Sequence, residues 1–154
     1  MTSHLARLTG MAQGIVPLPP IYVTLGITVG AVCRDWVELF LIPAAHLLSP
    51  HGTLAGGALS SVLDTALAWV CDVALDDGFV AVTVDLRVTL LRPVVISEQP
   101  LVARASRIST GRTTIVAQAE LHDGAGRLVA VGSSTNRVVA APCDSSAKTH
   151  HDLP

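Results

Sequence analysis

The chain has 154 residues, enough for one domain whose core needs neither disulfides nor metals. Half of the residues are hydrophobic, 14% are charged and 3% aromatic, so the apolar content is aliphatic; with a mean hydropathy of +0.55 this excludes a disordered chain and implies surface hidden from water. The net charge of −2 gives no reason to expect nucleic acid as a partner. The long uncharged runs, 8–33 and 39–63, are interrupted by prolines and glycines and read as no membrane span. The first residues lack the apolar core and small-residue cleavage site of a secretory leader. Cys33, Cys71 and Cys143 form no CxxC and leave one thiol over, which fits reduced thiols and a cytoplasmic location.

In chain order, residues 1–19 carry no sustained periodicity and run into Pro17, Pro19 and Pro20, so they are expected as an irregular N-terminal arm. Residues 21–32 and 36–42 are β-rich runs bounded by Pro20, Arg34-Asp35 and Pro43, and predict a hairpin. Residues 43–52 form a loop of turn residues. From Thr53 to about Ala74, Ala and Leu recur in helical spacing without proline, and Asp76-Asp77-Gly78 ends the run. Residues 80–91 alternate, with Val80, Val82, Val84, Leu86, Val88 and Leu90 on one face and Thr83, Asp85, Arg87 and Thr89 on the other. Residues 101–109, 113–122 and 127–139 follow as strands, joined at Thr110-Gly111 and Asp123-Gly124-Ala125-Gly126. Residues 140–154 are a polar tail, expected to be disordered. The order predicts an α+β domain over 20–139, an antiparallel sheet of about six strands around one long central helix.

That helix directs attention to one residue. Leu54, Leu59, Val62, Leu63, Ala66, Leu67, Trp69 and Val70 surround nearly its whole circumference, so it should be buried nearly all round. Asp64 is the only charge between Glu38 and Asp72, at a mid-helix position where Asp has poor propensity and an uncompensated buried carboxylate is costly. Gly57, Ser60, Ser61 and Asp64 share one helical face, a polar stripe on an apolar rod. Such an Asp is either a hydrogen-bonded structural residue or a carboxylate prepared as a general base. Upstream, Gly56 and Gly57 place unobstructed backbone N–H groups at the positive end of the helix dipole, where an anion or a carbonyl oxygen can be held. Eight residues at a 1.5 Å rise separate Gly56 from Asp64 by roughly 12 Å, so one carbonyl cannot meet both on the same helix. If they cooperate, two helices face each other across a two-fold axis.

The segments HGTLAGGALSSVLDTALAW, VTVDLRVTLLRPV, GRTTIVAQAEL and GRLVAVGSSTNRV resemble the hotdog-fold acyl-CoA thioesterases of the PaaI-like (phenylacetate-type) group, in order and spacing, over about residues 36–139. The resemblance implies a hotdog fold, hydrolysis of an acyl-CoA to free acid and coenzyme A, and a homodimer or homotetramer with its site shared across the interface. It implies that Gly56 polarises the thioester carbonyl, that Asp64 of the facing subunit activates water or attacks directly, and that Thr83 positions the water or the carboxylate. Two positions depart from the family pattern. The chain reads Ala55-Gly56-Gly57 where the family commonly has HGG, and Ser49 where it commonly has Asn. Backbone donation survives the loss of the His, while side-chain support of the carbonyl does not.

His51, just before the helix, is a candidate for the acyl pocket; the remaining histidines show no metal-ligand spacing, and no metal or redox cofactor is expected. No GxSxG elbow or cysteine nucleophile is present. Residues 86–137 carry seven arginines against three acids, and Arg92 and Arg112 are the candidates for coenzyme A phosphates. The substrate-binding candidates are thus Ser49, His51, Gly57, Ser60, Ser61, Arg92 and Arg112. A non-catalytic acyl-CoA-binding hotdog protein is the alternative; a hotdog dehydratase would need a His partner that the Asp64 helix lacks.

Overall fold

Six strands, β1 (Ile27–Val32), β2 (Trp36–Leu41), β3 (Phe79–Leu90), β4 (Leu101–Thr110), β5 (Thr114–His122) and β6 (Leu128–Ala140), form one antiparallel sheet in the order β1-β2-β4-β5-β6-β3. These come from a computed structural model that describes residues 3–141. Strand burial alternates, as in β2 and β5, so one face of the sheet is apolar and covered. Among the described residues three α-helices, α1 (His4–Ala12), α2 (Pro20–Leu25) and α3 (Gly56–Asp72), and a 3-10 turn at Ala45–Leu47 complete the fold. Helix α3 packs against β2, β3, β4, β5 and β6. Its Leu59, Val62, Leu63, Ala66, Leu67 and Val70 are buried against Val37, Leu39, Ile115 and Leu121. Ala103, Ala105, Ala117 and Ala119, all buried, thin the centre of the sheet so that a helix with large side chains on most sides fits against it. Each fully buried aliphatic side chain contributes on the order of 1.5–3 kcal/mol. The expected sheet around a central helix is therefore the observed architecture.

Local expectations fail where the chain packs against something distant. Residues 4–12, expected in an irregular arm, are α1, capped by Ser3 Oγ accepting from Ala6 N and packed on β1 with Leu8 and Met11 buried. Residues 20–25, expected at the start of a strand, are α2: Pro20 suits the first helical position, and Gly26 closes the helix at φ 70°, overriding the β-branched Ile21 and Val23. Thr53 and Leu54, expected in the central helix, lie before it: Thr53 is in a bend, and Leu54 N donates to Val94 O while the residue bridges Leu48. At the other end β6 runs through Ala140; the rest of the expected tail, 142–154, lies outside the described residues. No helix among the described residues is long and apolar enough to cross a membrane.

The consequential departure is in β3. Its pairing with β6 shifts by one residue between Thr83 and Asp85, so Val84 is an extra residue, a bulge. Thr83 opposes the buried Asn136, whereas Asp85 opposes Thr135 and Arg87 opposes Ser133. The bulge exchanges the faces of the strand: Ala81 and Thr83 point at α3 before it, Val88 and Leu90 after it. The simple alternation read from the sequence, with Thr83 on the same side as Arg87 and Thr89, is corrected accordingly.

Candidate active site

The site begins at the start of α3. Ala55 precedes the helix with no side-chain cap, and among the described residues no acceptor meets the N–H groups of Gly56 and Gly57. A Cβ on Gly56 would lie 2.7 Å from Leu90 Cδ1, so glycine here allows β3 to close over the helix end. Gly57 faces open space. Gly56 lines a cleft of about 330 Å³ together with Ser49, Thr53, Leu59, Leu90 and Arg92. The structure thus gathers Gly56, Ser49 and Arg92, three residues that the sequence nominated separately.

Ser49 is held in a turn: its backbone N donates to Thr53 O, its carbonyl accepts from Gly52 N, and its Oγ accepts from His51 N at 3.3 Å. The His51 side chain is exposed and does not line the cleft. Ser60 and Ser61 donate their hydroxyl protons to Gly56 O and Gly57 O, both at 2.8 Å, so these hydroxyls are committed to the helix backbone and are left with only acceptor capacity. Arg112 is exposed in the β4–β5 turn, away from the cleft lining. Among the described residues neither Arg92 nor Arg112 forms an ion pair, whereas Arg127 pairs with Asp123 at 2.8 Å and Arg87 with Asp85 at 3.2 Å. Arg107 is structural, donating to Val70 O at 2.9 Å and to Arg34 O. A second, larger depression on the sheet face turned away from α3, lined by Arg87, Thr89, Arg104 and Gln118, contains none of the nominated residues.

Asp64 stands half-buried on the stripe, eight residues from Gly56, and does not line the cleft of its own chain. Thr83 Oγ1 lies 3.2 Å from Asp64 Oδ1 and 3.1 Å from Asn136 Oδ1. The Asn136 amide reaches Ser134 Oγ at 2.7 Å and Cys71 Sγ at 3.3 Å. Asn136 and Ser134 are the buried polar side chains of the sheet, and sequence reasoning missed both. Alternation along GSSTN puts 132, 134 and 136 on one face, and that Gly, Ser, Asn face was a readable sign of a polar spot under the helix. Near the end of α3, burial pushes the Cys71 thiol up to about 12, and burial likewise raises Tyr22, whose hydroxyl receives Trp69 Nε1–H.

Among known proteins, the sequence profile of the thioesterase superfamily matches residues 51–130, from the turn before α3 into β6. A Haemophilus influenzae protein named provisionally as an esterase is 29% identical over 115 residues, 75% of this chain and 82% of that protein. The crystal structure of a Haemophilus influenzae thioesterase superposes with a TM-score of 0.74 at 27% identity, covering 85% of this chain and 87% of the other. A Ralstonia eutropha phenylacetic acid degradation-related protein, provisionally named a thioesterase, gives 0.76 at 29% identity, covering 85% and 98%.

Proposed function

This chain belongs to the thioesterase superfamily and is a thioester hydrolase, and we propose that its substrate is an acyl-CoA, cleaved to free acid and coenzyme A in a site shared by two copies of the chain. The thioester carbonyl oxygen rests against the Gly56 N–H at the positive end of α3. Asp64 of the partner subunit takes a proton from water as the water oxygen bonds to the carbonyl carbon, or attacks that carbon itself, in which case water hydrolyses the acyl-aspartyl anhydride left once the thiolate has departed. Collapse of the tetrahedral intermediate breaks the C–S bond and releases the coenzyme A thiolate, which takes up a proton. Thr83 holds the carboxylate, Arg92 meets coenzyme A phosphate at the cleft rim, and Arg112 is a second phosphate candidate. Water, a carboxylate and backbone amides suffice for this chemistry, which calls for no metal or redox cofactor. Free thiols at Cys33 and Cys71 fit a cytoplasmic setting.

The observation that carries the reading is the cleft at the Gly56 helix start, with Arg92 on its wall, while Asp64 stands roughly 12 Å along the same helix. Sharing supports it further. β3 ends the sheet order, and Val82, Val84, Leu86 and Leu90 of this edge strand are exposed. A long apolar edge is a liability in a lone chain. Antiparallel pairing of β3 with β3 of a second copy, about a two-fold axis, covers that edge and sets the α3 stripes face to face.

Thiol release from a panel of acyl-CoAs tests the activity. Turnover is expected in the wild type and loss of it in Asp64→Ala; an Asp64→Ala protein as active as wild type overturns the mechanism, and binding without turnover across the panel favours the non-catalytic acyl-CoA-binding alternative. Mixing inactive Asp64→Ala with inactive Gly56→Val tests the sharing. A heterodimer of the two has one site with both Gly56 and Asp64 intact, so activity returns on mixing; a mixture that stays inactive while forming heterodimers rejects the shared site.

A further inference from the structure

We propose that Asn136 is a positioning residue that makes Thr83 a hydrogen-bond donor to Asp64; the inference rests on the role given to Asp64 above. Asn136 is fully buried on β6 and sits opposite Thr83 in register, so its amide fills the space between the Thr83 hydroxyl and the interior. The amide contacts three polar atoms: Thr83 Oγ1, Ser134 Oγ and Cys71 Sγ.

The role depends on how the amide is turned. Thr83 has one hydroxyl proton. With Asn136 Oδ1 toward Thr83, that oxygen and the Asp64 carboxylate compete for the single proton, while the two amide N–H protons donate to Ser134 Oγ and Cys71 Sγ. With the amide rotated by 180°, the heavy-atom positions are nearly the same and the competition for the Thr83 proton ends. Ser134 O–H and Cys71 S–H then donate to Asn136 Oδ1, Asn136 Nδ2–H donates to Thr83 Oγ1, and Thr83 O–H donates to Asp64 Oδ1. Burial keeps the Cys71 thiol protonated, so it stays a donor at any working pH. The relay runs one way, from the interior toward the carboxylate, and fixes both the Thr83 rotamer and the face of Asp64 that remains open for water or substrate.

The bulge at Val84 is part of this device. In an unbroken ladder with Thr83 turned toward α3, Asp85 and Arg87 would be turned inward with it; the extra residue lets Thr83 face Asn136 and Asp64 while Asp85 and Arg87 stay on the outer face.

The test is Asn136→Ala in three backgrounds, wild type, Thr83→Ser and Thr83→Val, with Asp64→Ala assayed alongside. Where position 83 keeps a hydroxyl, Asn136→Ala is expected to lower kcat about tenfold with KM nearly unchanged. In Thr83→Val the same change should have no further effect on kcat. An equal loss in all three backgrounds makes Asn136 a structural residue and overturns the inference, while inactivity of Asp64→Ala in the same assay leaves the catalytic reading standing. Activity retained in Asp64→Ala overturns both. If Asn136→Ala does not fold, Ser134→Ala carries the comparison, with a loss of about threefold expected beside Thr83→Ser and none beside Thr83→Val.

Discussion

Helix α3 carries two aspartates on one stripe, and they make opposite uses of the same neighbour. Asp64 Oδ1 accepts from the Thr83 hydroxyl of β3, and Asp72 Oδ1 accepts from the Ala81 backbone N–H of the same strand at 2.7 Å. Asp72 ends the helix, where the dipole opposes a negative charge. Burial raises its pKa, and the Ala81 N–H with the nearby charges of His4 and Arg7 only partly offsets this. Its surroundings, α1 and β3, are complete within one chain. Asp64 instead meets a side-chain hydroxyl, on the stripe of the exposed Gly57 and next to a strand edge with no partner among the described residues. The first carboxylate is held by backbone within one chain; the second, held by a hydroxyl beside an open edge, is the one the proposed mechanism uses.

Substitutions can break this contrast. The largest expected effect is that Asp64→Asn lowers kcat by about 10³-fold with an unchanged melting temperature, while Asp72→Asn leaves kcat within about twofold; steady-state kinetics with scanning calorimetry on both proteins decide it. Next, Val84→Lys places a charge on the open β3 edge and should leave the chain a monomer without turnover where the proposed dimer forms in the wild type, read as halved mass in light scattering. A monomer of undiminished activity would end the shared-site reading.

The smallest effect is on stability and has a definite sign. The folded pKa of Asp72 lies above its ordinary 3.8, so the fold favours the protonated form. The stability this group contributes is greatest below that value and falls as pH rises through the folded pKa, where a buried charge must be carried. Asp72→Asn keeps an acceptor for Ala81 N–H and removes the charge. At pH 7 it should melt about 2–4 °C higher, on the scale of one kcal/mol for a chain this size, and the gain should vanish near pH 3.5. A gain that persists at low pH would mean that packing, not ionisation, is responsible. Cys71 gives a parallel check: with its thiol pushed up to about 12 and buried, it should resist alkylation at pH 8 in the native protein and react freely once unfolded.

Much of the fold could be read without coordinates. The β5 and β6 strands and their turns follow from period-two patterning and glycine punctuation, and the central helix from apolar residues on nearly every side. Gly56, Asp64 and Arg92 were recognisable because each breaks its background: unobstructed amides at a helix start, the one charge on a rod, a cation before a proline. Ser60 and Ser61 looked equally polar, but in mid-helix a serine hydroxyl can close onto the carbonyl four residues back, and both do. Asn136 escaped notice because an Asn among serines and threonines near a strand end looks solvated until its neighbours are known.

By itself the sequence determined the central helix, the antiparallel sheet around it and the single acid on its polar stripe, because these depend on periodicities of two and 3.6 residues that are local to each segment. The tertiary structure decided what Asp64 touches. A one-residue bulge at Val84, set by pairing with a strand some fifty residues away, turns Thr83 toward the helix and brings it onto Asn136. No local pattern encodes that shift, since the same valines and threonines alternate correctly in either register.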